Sequence, residues 1–223
     1  LKKTELTLCW RQPGQRLIRL NKIKVKPLIL LSAEELILHI RGCGLNNRES
    51  QKKIFGSYYG YAMSICCRYT NKQEDADEII NDGFLKIFKE IQRFTPAYSD
   101  VISSFNGWLG KIMVYTAIDY NRKYFKYSMT TSFSGQIIEI NDANENALDK
   151  ISYDEIIKAI QHLSPAYRTI LNMFIIEGFS HDEIAQKLGI SSGTSKSNLS
   201  KARKQLQKIL FNYHQPVLIK NVT

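Results

Sequence analysis

Residues 178–204 read GFSHDEIAQKLGISSGTSKSNLSKARK, and the pattern within them decides the architecture. Ser180 can cap a helix, and Glu183, three places on, can reach back to the cap amide, so the spacing marks a helix start by a capping box. Ile184, Ala185 and Leu188 recur at helical spacing, and Gly189 follows where a tight turn needs positive φ or close backbone approach. Ser191 supplies a second N-cap. Beyond it Ser195, Leu199, Ala202, Leu206 and Ile209 or Leu210 fall on one stripe, with Ser197, Lys201, Lys204 and Lys208 opposite and Lys196 and Arg203 at its flanks. Two capped helices joined by a glycine turn make a helix-turn-helix. Small polar residues at the start of its second helix suit approach to base edges in a major groove, and the later cations suit phosphates. A charge run alone would read as the solvated face of a bundle helix, but the two caps and the turn weigh against that.

Formal net charge is +10 over 223 residues, and its distribution says more than its size. Residues 1–27 carry 8 basic and 1 acidic side chains, residues 184–223 carry 7 and none, and the stretch between carries 16 and 20. The C-terminal basic cluster coincides with the helix-turn-helix, whereas the N-terminal one coincides with no periodic segment. With 43% hydrophobic and 23% charged residues, the chain is expected to fold as a soluble protein of one large or two small domains. The aperiodic start, with Pro13, Gly14 and Pro27, assigns residues 1–32 to a disordered basic tail. Its apolar run Pro27–Leu31 is too short for a signal-peptide core, and no stretch approaches the ~20 apolar residues of a membrane span, so a cytoplasmic location is expected. Cys9, Cys43, Cys66 and Cys67 lack metal-ligand spacing and read as reduced, buried thiols.

Residues 33–127 are helical by pattern almost throughout. Ala33–Ile40 is a short amphipathic piece, and Glu49–Thr70 carries Ile54, Tyr58, Tyr61, Ala62, Ile65 and Tyr69 on a stripe. Asp75–Arg93 turns Ala76, Ile80, Phe84, Ile87, Phe88 and Ile91 to a core. Ser104 or Asn106 opens a further helix through Trp108, Ile112, Tyr115 and Ile118 to about Phe125. Residues 128–149 differ: Glu139, Asp142, Glu145 and Asp149 stand among Ser, Thr, Gly and Asn without Lys or Arg, which reads as a linker. Ser152–Leu163, Pro165–Glu177 and the two helices above complete a four-helix C-terminal domain over 150–212, followed by a tail over 213–223. The expected fold class is all-α, two small helical domains joined by a flexible acidic linker.

Two separated segments resemble the sigma-70 superfamily, and within it the small extracytoplasmic function (ECF) sigma factors. HLSPAYRTILNMFIIEGFSHDEIAQKLGISSGTSKSNLSKARKQL, residues 162–206, is similar to region 4 of that family. DADEIINDGFLKIFKEIQRF and FNGWLGKIMVYTAIDYNRKYFK, residues 75–94 and 105–126, are similar to region 2. The resemblance implies a subunit that binds core RNA polymerase, recognises the minus-35 element of promoter DNA through region 4 and the minus-10 element through region 2, and promotes DNA opening. It also implies an anti-sigma factor, often membrane-tethered, that covers the core-binding surfaces. No cofactor, metal or small-molecule substrate is expected. The chain lacks a Walker-type loop, HExxH, zinc-spaced cysteines and G-x-S-x-G, so it is not expected to be an enzyme.

Carried over residue by residue, Asp77, Glu78, Asn81, Asp82 and Leu85 would dock on the clamp coiled coil of the polymerase largest subunit. A carboxylate-rich helix is a poor DNA contact but a good partner for a basic protein surface. Asn81 stands where the family often has Gln, and Gly83 where a larger residue is usual. Lys111, Tyr115, Asp119, Arg122 and Lys123 are the expected minus-10 residues. Cations here, Lys126 included, can hold phosphates while Tyr115, Tyr120, Tyr124 and Phe125 stack on unpaired bases; Trp108 is expected to pack in the core. Tyr115 occupies a position where the family commonly carries Asn. In region 4, Thr194, Ser197 and Lys201 are expected at base edges, with Lys196, Asn198, Arg203 and Lys204 mainly at phosphates. Ser195 lies where Val or Ile usually anchors the helix, and Asn198 replaces a frequent Arg. The Ser195 hydroxyl is expected to bond a backbone carbonyl one turn back. By the same resemblance, the acidic linker threads the polymerase cleft and RNA exit path. The competing class is a free-standing helix-turn-helix regulator that senses a ligand or dimerises through residues 33–127.

Overall fold

Ser32 opens the first helix: its hydroxyl accepts from the Glu35 amide while the Glu35 carboxylate accepts from the Ser32 amide, and this capping box starts α1 at Ala33–Gly44. The computed structural model describes residues 31–128 and 153–214, with side chains over 31–122 and 154–211. The expected tails and linker lie outside those residues, apart from Leu31, Ser32, Ser128, Tyr213 and His214. Leu31 is buried and Ser32 caps α1, so these two belong to the fold and not to the tail. Among the described residues there is no strand, and no helix is long and apolar enough to cross a membrane.

The described chain divides into two compact units between Lys126 and Tyr127. In the N-terminal unit, α1 outruns the expected Ala33–Ile40 by one turn, its end marked by buried Cys43. Asn46 reverses the chain at φ 57°, and Asn47 caps α2, Arg48–Cys66, through the Ser50 amide at 2.9 Å. This helix stops before Thr70, although Tyr69 in the following turn is still buried. Helix α3 spans Gln73–Glu90 and tightens into a 3-10 turn over Ile91–Arg93. Helix α4 spans Val101–Ser128 and begins ahead of both expected starts, because Asp100 Oδ1 accepts from the amides of Ile102 and Ser103 at 3.0 and 3.3 Å.

The core of this unit is aromatic and aliphatic. Phe105 meets Tyr58 edge-on at 5.1 Å and Phe94 at 5.2 Å, which joins α4 to α2 and to the chain after the 3-10 turn. Along α4 the buried face is Phe105, Leu109, Met113, Ala117 and Ile118, while Trp108, Ile112 and Tyr115 are half-buried. The inward stripe is therefore rotated from the expected one, and Trp108 sits at the rim of the core against Phe94 and Phe105. Gly83 explains its own identity: a Cβ there would overlap the Met113 sulfur, and both residues are buried. Buried Asn121 donates to Tyr69 O at 3.1 Å and fixes the far part of α4 on the turn after α2.

In the C-terminal unit α5 spans Tyr153–Gln161, and Ser164 caps α6, Pro165–Leu171, with the proline in its first turn. Buried Arg168 donates from Nη2 to Gln161 O and Leu163 O, both at 2.9 Å, and so satisfies carbonyls at the end of α5. The expected single helix Pro165–Glu177 instead widens into a π turn over Asn172–Ile176, closed by Glu177 N to Asn172 O at 3.0 Å. Helices α7, His181–Leu188, and α8, Ser192–His214, complete the unit, and α8 packs against α5, α6 and α7.

Replacing Gly83 by Leu should overpack the α3–α4 contact and lower stability by about 1–3 kcal/mol. Urea unfolding should detect this loss, and a second change, Met113→Ala, should recover part of it.

Candidate nucleic-acid and protein interfaces

Helix α7 starts by the expected chemistry: Ser180 Oγ accepts from the Glu183 amide at 3.2 Å and Glu183 Oε2 accepts from the Ser180 amide at 2.8 Å. Gly189 ends it at φ 69°, a left-handed conformation that a Cβ would strain. Ser191 Oγ then accepts from the Thr194 amide at 2.9 Å and opens α8.

Along α8, Ser195, Leu199, Ala202, Leu206 and Leu210 are buried and Ile209 is half-buried, so the stripe ends on Leu210. Lys196, Ser197, Lys201, Lys204 and Lys208 are exposed, and Thr194 and Asn198 are half-buried beside them. The Thr194 hydroxyl shares a 2.8 Å bond with Ser191 Oγ. Arg203 is held inward: its guanidinium lies 5.6 Å over the Phe174 ring, and burial lowers its pKa. It packs the domain, unlike the open Lys204. Ser195 also departs from expectation, because its partner is not a carbonyl one turn back but His181 Nδ1, 2.9 Å away across the turn. Sequence spacing gave no sign of that pair, which joins residues 14 apart on two helices.

The N-terminal unit offers two faces. On α3, Glu78, Asn81, Asp82 and Leu85 follow helical spacing and are all exposed, Leu85 to 59%. Leu85 is one of three exposed leucines among the described residues of this unit, with Leu38 and Leu45, and stands among the carboxylates of α3. Asp77 stands at the edge of this face and is half-committed within the fold, accepting from Tyr59 Oη at 2.8 Å and Gln73 Nε2 at 3.3 Å. That bond to the carboxylate raises the Tyr59 pKa, with burial adding to it. Gly83 faces Met113 in the core and takes no part in the patch.

On α4, Lys111, Tyr115, Asp119 and Arg122 recur at spacings of four, four and three and share one stripe. Lys111 Nζ lies 5.9 Å over the Tyr115 ring. Asp119 is an anion on a face otherwise suited to nucleic acid, and Lys86 of α3 answers it: Lys86 Nζ is 3.6 Å from Asp119 Oδ2 and donates to Thr116 Oγ1 at 3.2 Å. The pair is exposed and adds little to stability, but it offsets a charge that would repel phosphate. Lys86 was missed in the sequence because it lies on another helix. Tyr120, expected to stack on bases, donates its hydroxyl to Asp75 Oδ1 at 2.8 Å and so ties α4 to α3. The side chains of Lys123, Tyr124, Phe125 and Lys126 lie outside the described residues.

Residues 54–124 match the family model for sigma-70 region 2, and residues 153–206 match that for sigma-70, region 4. The ECF RNA polymerase sigma factor SigE of Mycolicibacterium smegmatis is 26% identical over 149 residues, covering 66% of this chain and 56% of that protein. The chain therefore spans little more than half the length of that relative. The ECF RNA polymerase sigma factor SigW of Bacillus subtilis is 26% identical over 163 residues, 69% of this chain and 84% of the relative. Among solved structures, the sigma factor RpoE in complex with the anti-sigma factor NepR from Bartonella quintana is 21% identical, covers 72% of this chain and 96% of its own, and gives a TM-score of 0.38. With regions 2 and 4 both present and in the family's order, this chain belongs to the sigma-70 family and, within it, to the ECF sigma factors.

Proposed function

We propose that this chain is a promoter-specificity subunit of RNA polymerase, with residues 33–127 binding core enzyme and the minus-10 element and residues 150–212 binding the minus-35 element. Residues 128–149 serve as the linker between them. The observation that carries this reading is the pairing, in one chain, of an acid-rimmed exposed leucine on α3 with an acid-free α8 whose exposed cations are Lys196, Lys201, Lys204 and Lys208. The first suits a basic protein surface and the second suits duplex DNA.

In this reading Glu78, Asn81, Asp82 and Leu85 make the main polymerase contact, with Asp77 at its margin. Leu85 supplies the apolar anchor and the carboxylates orient it. On α4, Lys111 and Arg122 hold phosphates of the minus-10 strand and Tyr115 offers a ring to an unpaired base, with Lys123 next along the helix. Asp119 contributes shape and hydrogen bonding at low net charge because Lys86 pairs with it. On α8, Thr194, Ser197 and Lys201 read base edges, while Lys196, Asn198 and Lys204 fix the register on phosphates. Arg203 supports the domain from inside. The chain works in the cytoplasm, and an anti-sigma factor restrains it by covering the α3 face.

The test is binding of the full chain to core polymerase, beside footprinting of promoter DNA with and without polymerase. The chain should bind core in solution and protect specific DNA only in the holoenzyme; a specific footprint by the chain alone, with no affinity for core, contradicts the reading. Leu85→Arg should weaken core binding roughly tenfold or more while leaving helix content unchanged. In holoenzyme–promoter complexes, Lys204→Ala should weaken binding evenly across sequences and reduce the salt slope by about 1. Lys201→Ala should instead relax preference at one base position by about 1–3 kcal/mol, read from a panel of single-base promoter variants.

A further inference from the structure

Ser195 lies on the face of α8 that meets α7, fully buried between Thr194 and Lys196. Its Oγ is 2.9 Å from Nδ1 of His181, the first residue of α7. The imidazole stacks on Phe174, with ring centroids 4.5 Å apart and planes 24° from parallel, and its backbone lies in the first turn of α7, directly after the Ser180 cap. The charged groups that face it are Lys196 and Arg203 from α8 and Asp182 from α7; the π turn contributes only the neutral Phe174. Burial first, then the two cations, hold the His181 pKa below the ordinary histidine value, against the opposing pull of Asp182. The positive end of the α7 dipole acts in the same direction as the cations.

A neutral imidazole has one donor and one acceptor nitrogen. A buried hydroxyl hydrogen with no acceptor costs more than an unused lone pair, which puts the acceptor at Nδ1 and the proton at Nε2. We propose that His181 is a positioning residue for promoter reading: its neutral Nδ1 accepts the Ser195 hydroxyl and thereby fixes how α8 seats on α7 and where Thr194, Ser197 and Lys201 project. The proposal rests on the reading of α8 as the minus-35 recognition helix. Protonation makes Nδ1 a donor, so the Ser195 hydroxyl hydrogen must turn away to another acceptor and the contact that seats α8 on α7 changes. Because the folded-state pKa is depressed, the unfolded state binds the proton more readily. The stability this contributes is complete above the ordinary histidine pKa of about 6.5, and the seating itself is lost as pH falls through the depressed folded-state pKa of His181.

The experiment is a pH series on the full chain, alone and bound to core polymerase. In the histidine-15N-labelled chain, His181 should be the Nε2–H tautomer, titrate below the ordinary value, and move back up in Ser195→Val. In the holoenzyme, the gain in affinity conferred by the minus-35 element should fall as pH is lowered from about 7.5 through the depressed His181 pKa, by less than about tenfold at about pH 5.5, with binding to core unchanged. His181→Ala should lose about fivefold of that gain at neutral pH by leaving the Ser195 hydroxyl unpaired. The double variant His181→Phe with Ser195→Val should restore the gain and make it insensitive to pH. An Nδ1–H tautomer, an ordinary His181 pKa, or a double variant that keeps the wild-type pH dependence overturns the proposal. If the tautomer and titration are as expected but the minus-35 element confers no gain at neutral pH, the recognition-helix reading fails, and with it the promoter part of this inference.

Discussion

Burial of one stripe of α8 is the constraint from which the C-terminal unit follows. Leu199, Leu206 and Leu210 are each buried, and each contributes about 1.5–3 kcal/mol by leaving water. α5, α6 and α7 pack around that stripe, and at 3.6 residues per turn its burial obliges Lys201, Lys204 and Lys208 to face solvent. The cations do not hold the fold together. They are carried outward by the apolar residues between them, so the rotation of α8 about its axis is a packing quantity and, in the proposed function, a DNA-reading quantity as well. Ser195 is the weakest part of that stripe, since a hydroxyl replaces an apolar anchor and depends on His181 for its hydrogen bond.

The same division governs α3. Ile79, Ile80, Phe84 and Ile87 face the core, and Gly83 among them admits the Met113 side chain. Glu78, Asn81, Asp82 and Leu85 then have no choice but the surface. Leu85 is exposed there, as Leu38 and Leu45 are elsewhere in the unit, and the proposed function gives it a partner. The tie between α3 and α4 runs partly through polar groups, Tyr120 to Asp75 and Lys86 to Thr116 and Asp119, so the helix proposed to dock on polymerase and the helix proposed to open DNA share a frame.

What could be read from the sequence was what is local. The Ser180–Glu183 capping box, the Gly189 turn, the Ser191 cap and the alternation of buried and basic positions on α8 all depend on neighbours within one or two turns, and the structure has each of them. The four helices of the N-terminal unit were legible for the same reason, but the Asp100 cap of α4 and the turning of its buried face to Leu109 and Met113, with Ile118 inward as expected, were not. What could not be read were pairings across elements: His181 with Ser195, Lys86 with Asp119, Arg203 over Phe174, Met113 against Gly83. Each is set by tertiary packing, and no period in the chain encodes it. The π turn at Asn172–Ile176 belongs with these, because it carries Phe174, the ring on which His181 rests.

Run-off transcription from a genomic promoter library, with core polymerase in the presence and absence of this protein, tests the central claim most directly. The account predicts protein-dependent transcripts from a subset of promoters that share two separated sequence elements. Transcription no greater than that of core polymerase alone, across the whole library, would contradict it.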